Sequence, residues 1–168
     1  MERIPFWGRR LDTTVGGGAP SGGVVLLSGQ AGAGAREFMY TAALMNSLIE
    51  GDPDLFDLYY GGLAEDAIGP EEVHYISFTS EKRQLENEMA LAIDDEIVDA
   101  AIDGIRFHDL SAEYFRLSPV PREWYSGRTQ SISELGGTQG RRDVPEALGD
   151  PLTEHASGSR VIIDSIAD

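Results

Sequence analysis

A glycine-rich segment between an apolar run and an amphipathic stretch constrains this chain more than any other feature. Residues 24–28 are short, apolar and β-branched, which predicts a buried strand. From 35 to 50, apolar residues recur at helical spacing, and Gly51 follows, which predicts a helix that ends there. The glycines in between therefore lie in a strand-to-helix turn, where backbone N–H groups and the positive helix end can hold phosphate oxygens.

The glycine spacing agrees with the phosphate-loop pattern G-x-x-x-x-G-K-[ST], but the two residues after the glycines do not. Gly29 and Gly34 have the required separation, and Gly32 adds an inner glycine. Ala35 replaces the Lys that would face the β and γ phosphates, and Arg36 replaces the hydroxyl that would bind Mg²⁺. The candidate cofactor-binding residues are Gly29, Gln30, Ala31, Gly32, Ala33, Gly34, Ala35, Arg36 and Glu37.

Two interpretations of this segment stay open. The guanidinium of Arg36 is a good phosphate ligand, although it should project from a different side of the helix than the missing Lys. The alternative is an exposed or ion-paired arginine at the start of the helix. Glycines alone would equally fit a simple tight turn between a strand and a helix.

Strands and helices alternate through the rest of the chain. Periodicity predicts strands over 73–78, 105–108 and 161–164, helices over 80–102 and 144–155, and an exposed loop over 118–142. This order predicts an α/β fold with a largely parallel sheet flanked by helices. The sequence ends soon after the last strand, so we expect residues 1–168 to form a single domain that is incomplete at its C-terminus.

Charge and composition exclude several classes of protein. The formal net charge is -16, and Lys82 is the one lysine among 13 basic residues. Excess acid disperses proteins in strong salt, which favours a halophilic, cytoplasmic protein; binding of a basic partner is the alternative. Nucleic-acid binding is disfavoured because it needs a basic surface. The chain also lacks an apolar signal segment and an apolar run long enough to span a bilayer, so we expect no membrane contact.

Cysteine and histidine give no sign of a metal site. The sequence has no Cys, which excludes disulfides and thiolate ligands. His74, His108 and His155 are far apart and show no ligand spacing. His108 is therefore interpreted as a structural histidine.

Four stretches, in the expected order, resemble the KaiC-like branch of the RecA superfamily, especially degenerate haloarchaeal KaiC-like or HTR-like proteins. They are the lead-in over 4–22, with Leu-Asp and Gly-Gly-Gly-Ala-Pro-Ser-Gly, the glycine loop over 28–38, the strand over 75–78 and the four-apolar-plus-acid strand ending in Asp164. The resemblance implies a P-loop NTPase (RecA-like) core, truncated after its Walker B strand. It also implies ATP with Mg²⁺ as cofactor and a lead-in beside the nucleotide.

The resemblance gives Asp164 the role of a Mg²⁺-assisting acid; a turn-forming or helix-capping Asp is the alternative. It fails at the family's hydrolytic acids, which follow the second strand as Phe-Glu-Glu. Here Thr79 and Ser80 stand in their place, and neither removes a proton from water near neutral pH. Glu81 is a weak catalytic candidate and equally a residue that starts the next helix.

Three functions follow as hypotheses. The first is a pseudo-ATPase, a non-hydrolysing regulatory or scaffold module with weak or absent nucleotide binding. The second is a weakly active ATPase in which Arg36 and Glu81 replace the missing groups, and it requires both to face one cavity. The third is a nucleotide-independent protein-interaction module. The resemblance implies that the partners are other protein subunits or signalling proteins, including further copies of the chain.

Overall fold

A computed structural model describes residues 2–62, 65–115 and 144–164, together with 119 and 121. Its strands are β1 (Arg3–Ile4), β2 (Ala19–Pro20), β3 (Glu72–Ser77), β4 (Ile105–Asp109) and β5 (Ser159–Asp164). Its helices are α1 (Arg9–Thr14), α2 (Ala35–Gly51), α3 (Pro53–Tyr59), α4 (Lys82–Ala92), α5 (Asp95–Ala101), α6 (Ser111–Phe115) and α7 (Val144–His155). A 3₁₀ turn, Ile102–Gly104, leads into β4.

The central sheet is parallel and has the order β4–β3–β5. In its register, Val73 lies opposite Ile105 and Arg160. At the other end, Ser77 lies opposite Asp109 and Asp164. The fold is therefore α/β with a three-stranded parallel sheet and flanking helices, and it brings the two aspartates to the carboxyl edge of the sheet.

The two faces of the sheet are covered by different helices. Val73 and Tyr75 of β3 belong to the larger core, which α2 and α5 complete with residues such as Leu44, Leu48 and Ile97. Ile76 faces the opposite way and packs in a smaller cluster with Phe78, Leu110 and Ala147. Because side chains alternate along a strand, β3 contributes to both cores.

The lead-in folds as the two-stranded antiparallel sheet β1–β2 with α1 between the strands. Asp12 is 3% exposed and accepts hydrogen bonds from the Phe6 amide at 2.7 Å and the Tyr60 hydroxyl at 3.0 Å. Burial, reinforced by the hydrogen bond to Asp12, raises the pKa of Tyr60 to about 12. Trp7 packs edge-on against Phe56 and Tyr60, so the lead-in is anchored to α3.

The predicted strand over 24–28 is wrong. These residues form no strand, and Val24 and Leu26 are 99% and 85% exposed. A strand needs a hydrogen-bonded neighbour, and within the described residues β5 pairs with β3 alone. The apolar run measures a tendency to be buried, but it carries no information about whether a partner strand is present.

The single helix predicted over 80–102 is also wrong, because the chain breaks it into α4 and α5. Ile93 and Asp94 are extended, with ψ of 153° and 132°. Asp94 is the N-cap of α5, and Asp95 and Glu96 occupy the first turn, where acids are favourable. The remaining predicted strands and helices are confirmed to within about two residues. Of the predicted loop over 118–142, all but residues 119 and 121 lies outside the described residues.

The helices of the described part of the chain are short or carry many charged and polar residues. None of its helices has the length and apolar character to cross a bilayer.

Candidate functional site

The glycine loop leads directly into α2. Gly34 is the N-cap of this helix and has φ 83°, a left-handed conformation that favours glycine. A turn precedes it, in which the Ala33 amide donates to the Gln30 carbonyl at 3.0 Å. Residues 29–33 are exposed, and Glu37 is exposed in the first turn of α2. The structure thus places the predicted glycines in a turn before a helix, but without the preceding strand.

Arg36 points away from the loop and toward the sheet. Its Nε lies 3.4 Å from Oδ2 of Asp164, and its Nη1 lies 3.3 Å from Oε2 of Glu88. The fold therefore joins two candidate site residues from opposite ends of the sequence. Arg36 is thus ion-paired in the structure.

Asp164 is held from two sides at the carboxyl end of β5. It is 2% exposed, and the Tyr75 hydroxyl donates to the same Oδ2 at 3.2 Å. Burial raises the pKa of Tyr75, and the neighbouring Asp164 carboxylate raises it further, so this hydroxyl stays a donor. Burial works against the charge of Arg36, but Asp164 and then Tyr40 and Glu88 outweigh it and raise the pKa of the guanidinium.

Glu88 on α4 completes the cluster, and no motif or spacing in the sequence singles it out. Tyr40 donates a hydrogen bond to its Oε2, and Gln84 donates to its Oε1 at 3.0 Å. Burial would raise the pKa of Glu88, but these hydrogen bonds and the charge of Arg36 lower it. Tyr40 and Tyr75 were likewise missed, because apolar periodicity marks them as core residues and does not reveal which hydroxyl meets which carboxylate.

The predicted hydrolytic positions lie at the end of β3. Glu81 is exposed and is the N-cap residue of α4, without a side-chain capping hydrogen bond. The backbone amides of Thr79 and Ser80 both donate to Oγ of Ser77, at 3.4 Å and 3.1 Å. Among the described residues, the buried hydroxyl oxygen of Thr79 has no hydrogen-bond partner. This turn holds no carboxylate that resembles a general base.

The donor set around Asp164 does not fit a Mg²⁺–nucleotide site. Mg²⁺ is held by oxygen ligands, including a loop hydroxyl in the phosphate-loop arrangement. Here the position of that hydroxyl carries a guanidinium, and Oδ2 of Asp164 is already bonded to Arg36 and Tyr75. The cluster is a cation held between two carboxylates, with its positive charge supplied by the chain itself.

Comparison with known proteins adds no family assignment. Neither the protein-family models, nor the curated proteins, nor the solved structures contain a match to this chain.

The pKa of Glu88 predicts a pH-dependent contribution to stability. A carboxyl whose folded pKa is lowered stabilises the fold above its unfolded pKa, about 4.3, and loses that contribution as pH falls through the folded value. Glu88→Gln is therefore expected to cost about 1 kcal/mol at pH 7 and less at pH 3.5, which is below the unfolded pKa. Urea denaturation at both pH values and constant KCl measures the difference. Glu86→Gln, which breaks a surface pair with Lys82, is the control and should change little. A Glu88→Gln cost that is equal at both pH values would contradict the assignment.

Proposed function

We propose that this protein is a degenerate P-loop protein of the RecA/KaiC-like type, a non-hydrolysing regulatory or scaffold module that acts through other protein subunits. The ion pair between Arg36 and Asp164 carries the proposal. In the pattern of the resembled family, position 36 holds the hydroxyl that binds Mg²⁺ and position 164 holds the acid that assists it. Here these positions hold Arg36 and Asp164, whose opposite charges pair with each other.

The energetics of this pair oppose metal and nucleotide binding. Asp164 is buried, so freeing its carboxylate for a metal ion would separate it from the guanidinium that compensates its charge. Ala35 supplies no charge for the phosphates in return. The exposed loop amides remain able to contact an anion, which is why weak nucleotide binding belongs to the proposal and hydrolysis does not.

The alternative of a weakly active ATPase needs Arg36 and Glu81 at one cavity. Arg36 is instead directed at Glu88 and Asp164, and Glu81 lies exposed at the N-cap position of α4. Among the described residues, neither Arg36 nor Glu81 is therefore positioned to act as the cation or the general base that hydrolysis needs. Removing one such group alone typically costs a factor of about 10²–10³ in rate.

Titration of Mg-ATP by calorimetry in molar KCl tests the proposal. The parent is expected to show no saturable binding at micromolar ATP. Ala35→Lys with Arg36→Thr restores the phosphate charge and the hydroxyl, frees Asp164, and is expected to bind. Ala35→Lys alone is the matched control: it adds the charge but keeps the ion pair, and should bind more weakly than the double variant.

Either of two other outcomes would overturn the proposal. Saturable, Mg²⁺-dependent binding by the parent would mean that the ion pair does not close the site. Absence of binding by all three proteins, each shown to be folded by circular dichroism, would remove the phosphate-loop ancestry. The nucleotide-independent interaction module would then be the better description.

A further inference from the structure

All three histidines of the chain lie together on the sheet face opposite α2. His74 of β3 alternates with Tyr75 and so shares its face with Ile76, where α7 packs. The ring of His74 stacks on those of His108 and His155, with centroids 5.2 Å and 4.9 Å apart. The histidines are far apart in the sequence, but β3, β4 and the end of α7 converge here and bring them together.

Three side chains of this cluster offer donor atoms to a common point. Ligand atoms of Glu72, His74 and His155 all lie within 4.8 Å of one another. Within this group, Nε2 of His74 is 3.1 Å from Oε2 of Glu72. A tetrahedral zinc ion with bonds of about 2.0–2.2 Å needs donors about 3.3 Å apart. The rings of His74 and His155 are stacked with an interplanar angle of 16°, so the His155 ring must turn out of this stack for its nitrogen lone pair to reach the same ion. Glu72 and His155 are both partly exposed.

The outer atoms of the same side chains are held in place. Nδ1 of His74 is hydrogen-bonded to Nε2 of His108 at 2.9 Å, and Oε1 of Glu72 accepts from Arg106. Metal-binding residues are commonly oriented through such outer hydrogen bonds. When His74 donates through Nδ1, its Nε2 lone pair faces a carboxylate oxygen, an arrangement that a cation between them stabilises.

A cleft lies beside the cluster, and one of the three donor side chains, His155, lines it. It has a volume of about 330 Å³ and lies between β4, α6 and α7. His108 and His155 line it, together with four acidic residues, Asp109, Glu113, Asp150 and Glu154. A cleft lined with one sign of charge raises the local concentration of counter-ions, here cations, next to His155.

We propose that Glu72, His74 and His155 bind a divalent metal ion of the zinc type, with water as the fourth ligand. Two imidazoles and one carboxylate suit zinc better than Mg²⁺ or Ca²⁺, which prefer oxygen ligands. The ion links β3 to the C-terminal end of α7 and so stabilises the packing of that helix. The site lies in the first half of β3, whereas Asp164 lies at the carboxyl edge of the sheet, so it is independent of the proposed function.

Metal titration of the full chain after chelator treatment tests this site. We expect one Zn²⁺ per chain by calorimetry, a rise in unfolding temperature with Zn²⁺ but not with Mg²⁺, and the visible absorption of four-coordinate Co²⁺. His155→Ala is expected to weaken Zn²⁺ binding by about tenfold or more. This residue is half-exposed at the end of α7, so the variant should fold.

Two further variants make the result specific. Glu154→Gln removes the neighbouring charge without removing a proposed ligand and should bind Zn²⁺ nearly as the parent does. His155→Cys keeps a zinc ligand at the same position and should restore most of the affinity lost in His155→Ala. The proposal is overturned by absence of stoichiometric Zn²⁺ binding, or by His155→Ala binding as tightly as the parent.

Discussion

Asp164→Ala is expected to lower the free energy of unfolding by about 3 kcal/mol, at the low end of the cost of breaking a buried ion pair. The substitution leaves the Tyr75 hydroxyl and the Arg36 guanidinium without the carboxylate that both contact. The share of this lost stability that comes from Arg36 is limited, because its side chain is 37% exposed and still pairs with Glu88. Urea denaturation in constant KCl measures the loss.

Asp109→Ala is the matched control for this experiment. Both aspartates lie opposite Ser77 at the carboxyl edge of the sheet, but Asp109 is exposed and accepts hydrogen bonds from Ser111 at the start of α6. Removing the Asp109 carboxylate should lower the free energy of unfolding by about 1 kcal/mol, the usual cost of losing a helix-capping side chain. Equal losses for the two variants would mean that Asp164 is an ordinary strand-end residue.

A double-mutant cycle isolates the ion pair. Arg36→Met removes the guanidinium but keeps the aliphatic stem, so Asp164→Ala should cost less in that background by about 1 kcal/mol. The coupling tests the contact on which the proposed function rests, without using nucleotide. Additive losses would show that the contribution of Asp164 does not depend on Arg36.

Local periodicity predicted the helices and strands whose buried face follows from the spacing of residues close together in the sequence. The apolar spacing over 35–50 and over 144–155 gave α2 and α7, and the β-branched runs gave β3 and β5. It failed at 24–28, where pairing depends on a distant strand. It also failed at Ile93 and Asp94, where the backbone is extended although the apolar pattern continues.

The site could be predicted only in its parts. Arg36 and Asp164 were each singled out from the sequence, but their contact depends on the crossing of α2 over the sheet and on the β3–β5 register. Glu88 reaches the same cluster from α4. Periodicity predicts which face of α4 is buried, but it does not predict what the residues beside that face contact. The histidine cluster was missed for the same reason, because its members come from three elements that meet only in the folded chain.

The lead-in offers the second large effect on stability, at Gly18. This residue has φ 112°, and a Cβ built there would lie 2.2 Å from the carbonyl oxygen of Ile4 and 2.7 Å from Cα of Pro5. Both atoms belong to the backbone, so the clash cannot be relieved by rotating a side chain. Gly18→Ala is expected to cost about 4 kcal/mol, the sum of about 1–3 kcal/mol for the conformation and a similar amount for overpacking.

Gly16→Ala separates the two causes. Gly16 also has a positive φ, 76°, but a Cβ there would meet nothing within 4 Å. It should therefore cost about 1–2 kcal/mol, the conformational part alone. The excess loss for Gly18→Ala, measured by urea denaturation, reports how tightly β2 is held against β1. Similar losses at the two positions would mean that the β1–β2 sheet yields readily, and that close backbone packing is not why a glycine stands at 18.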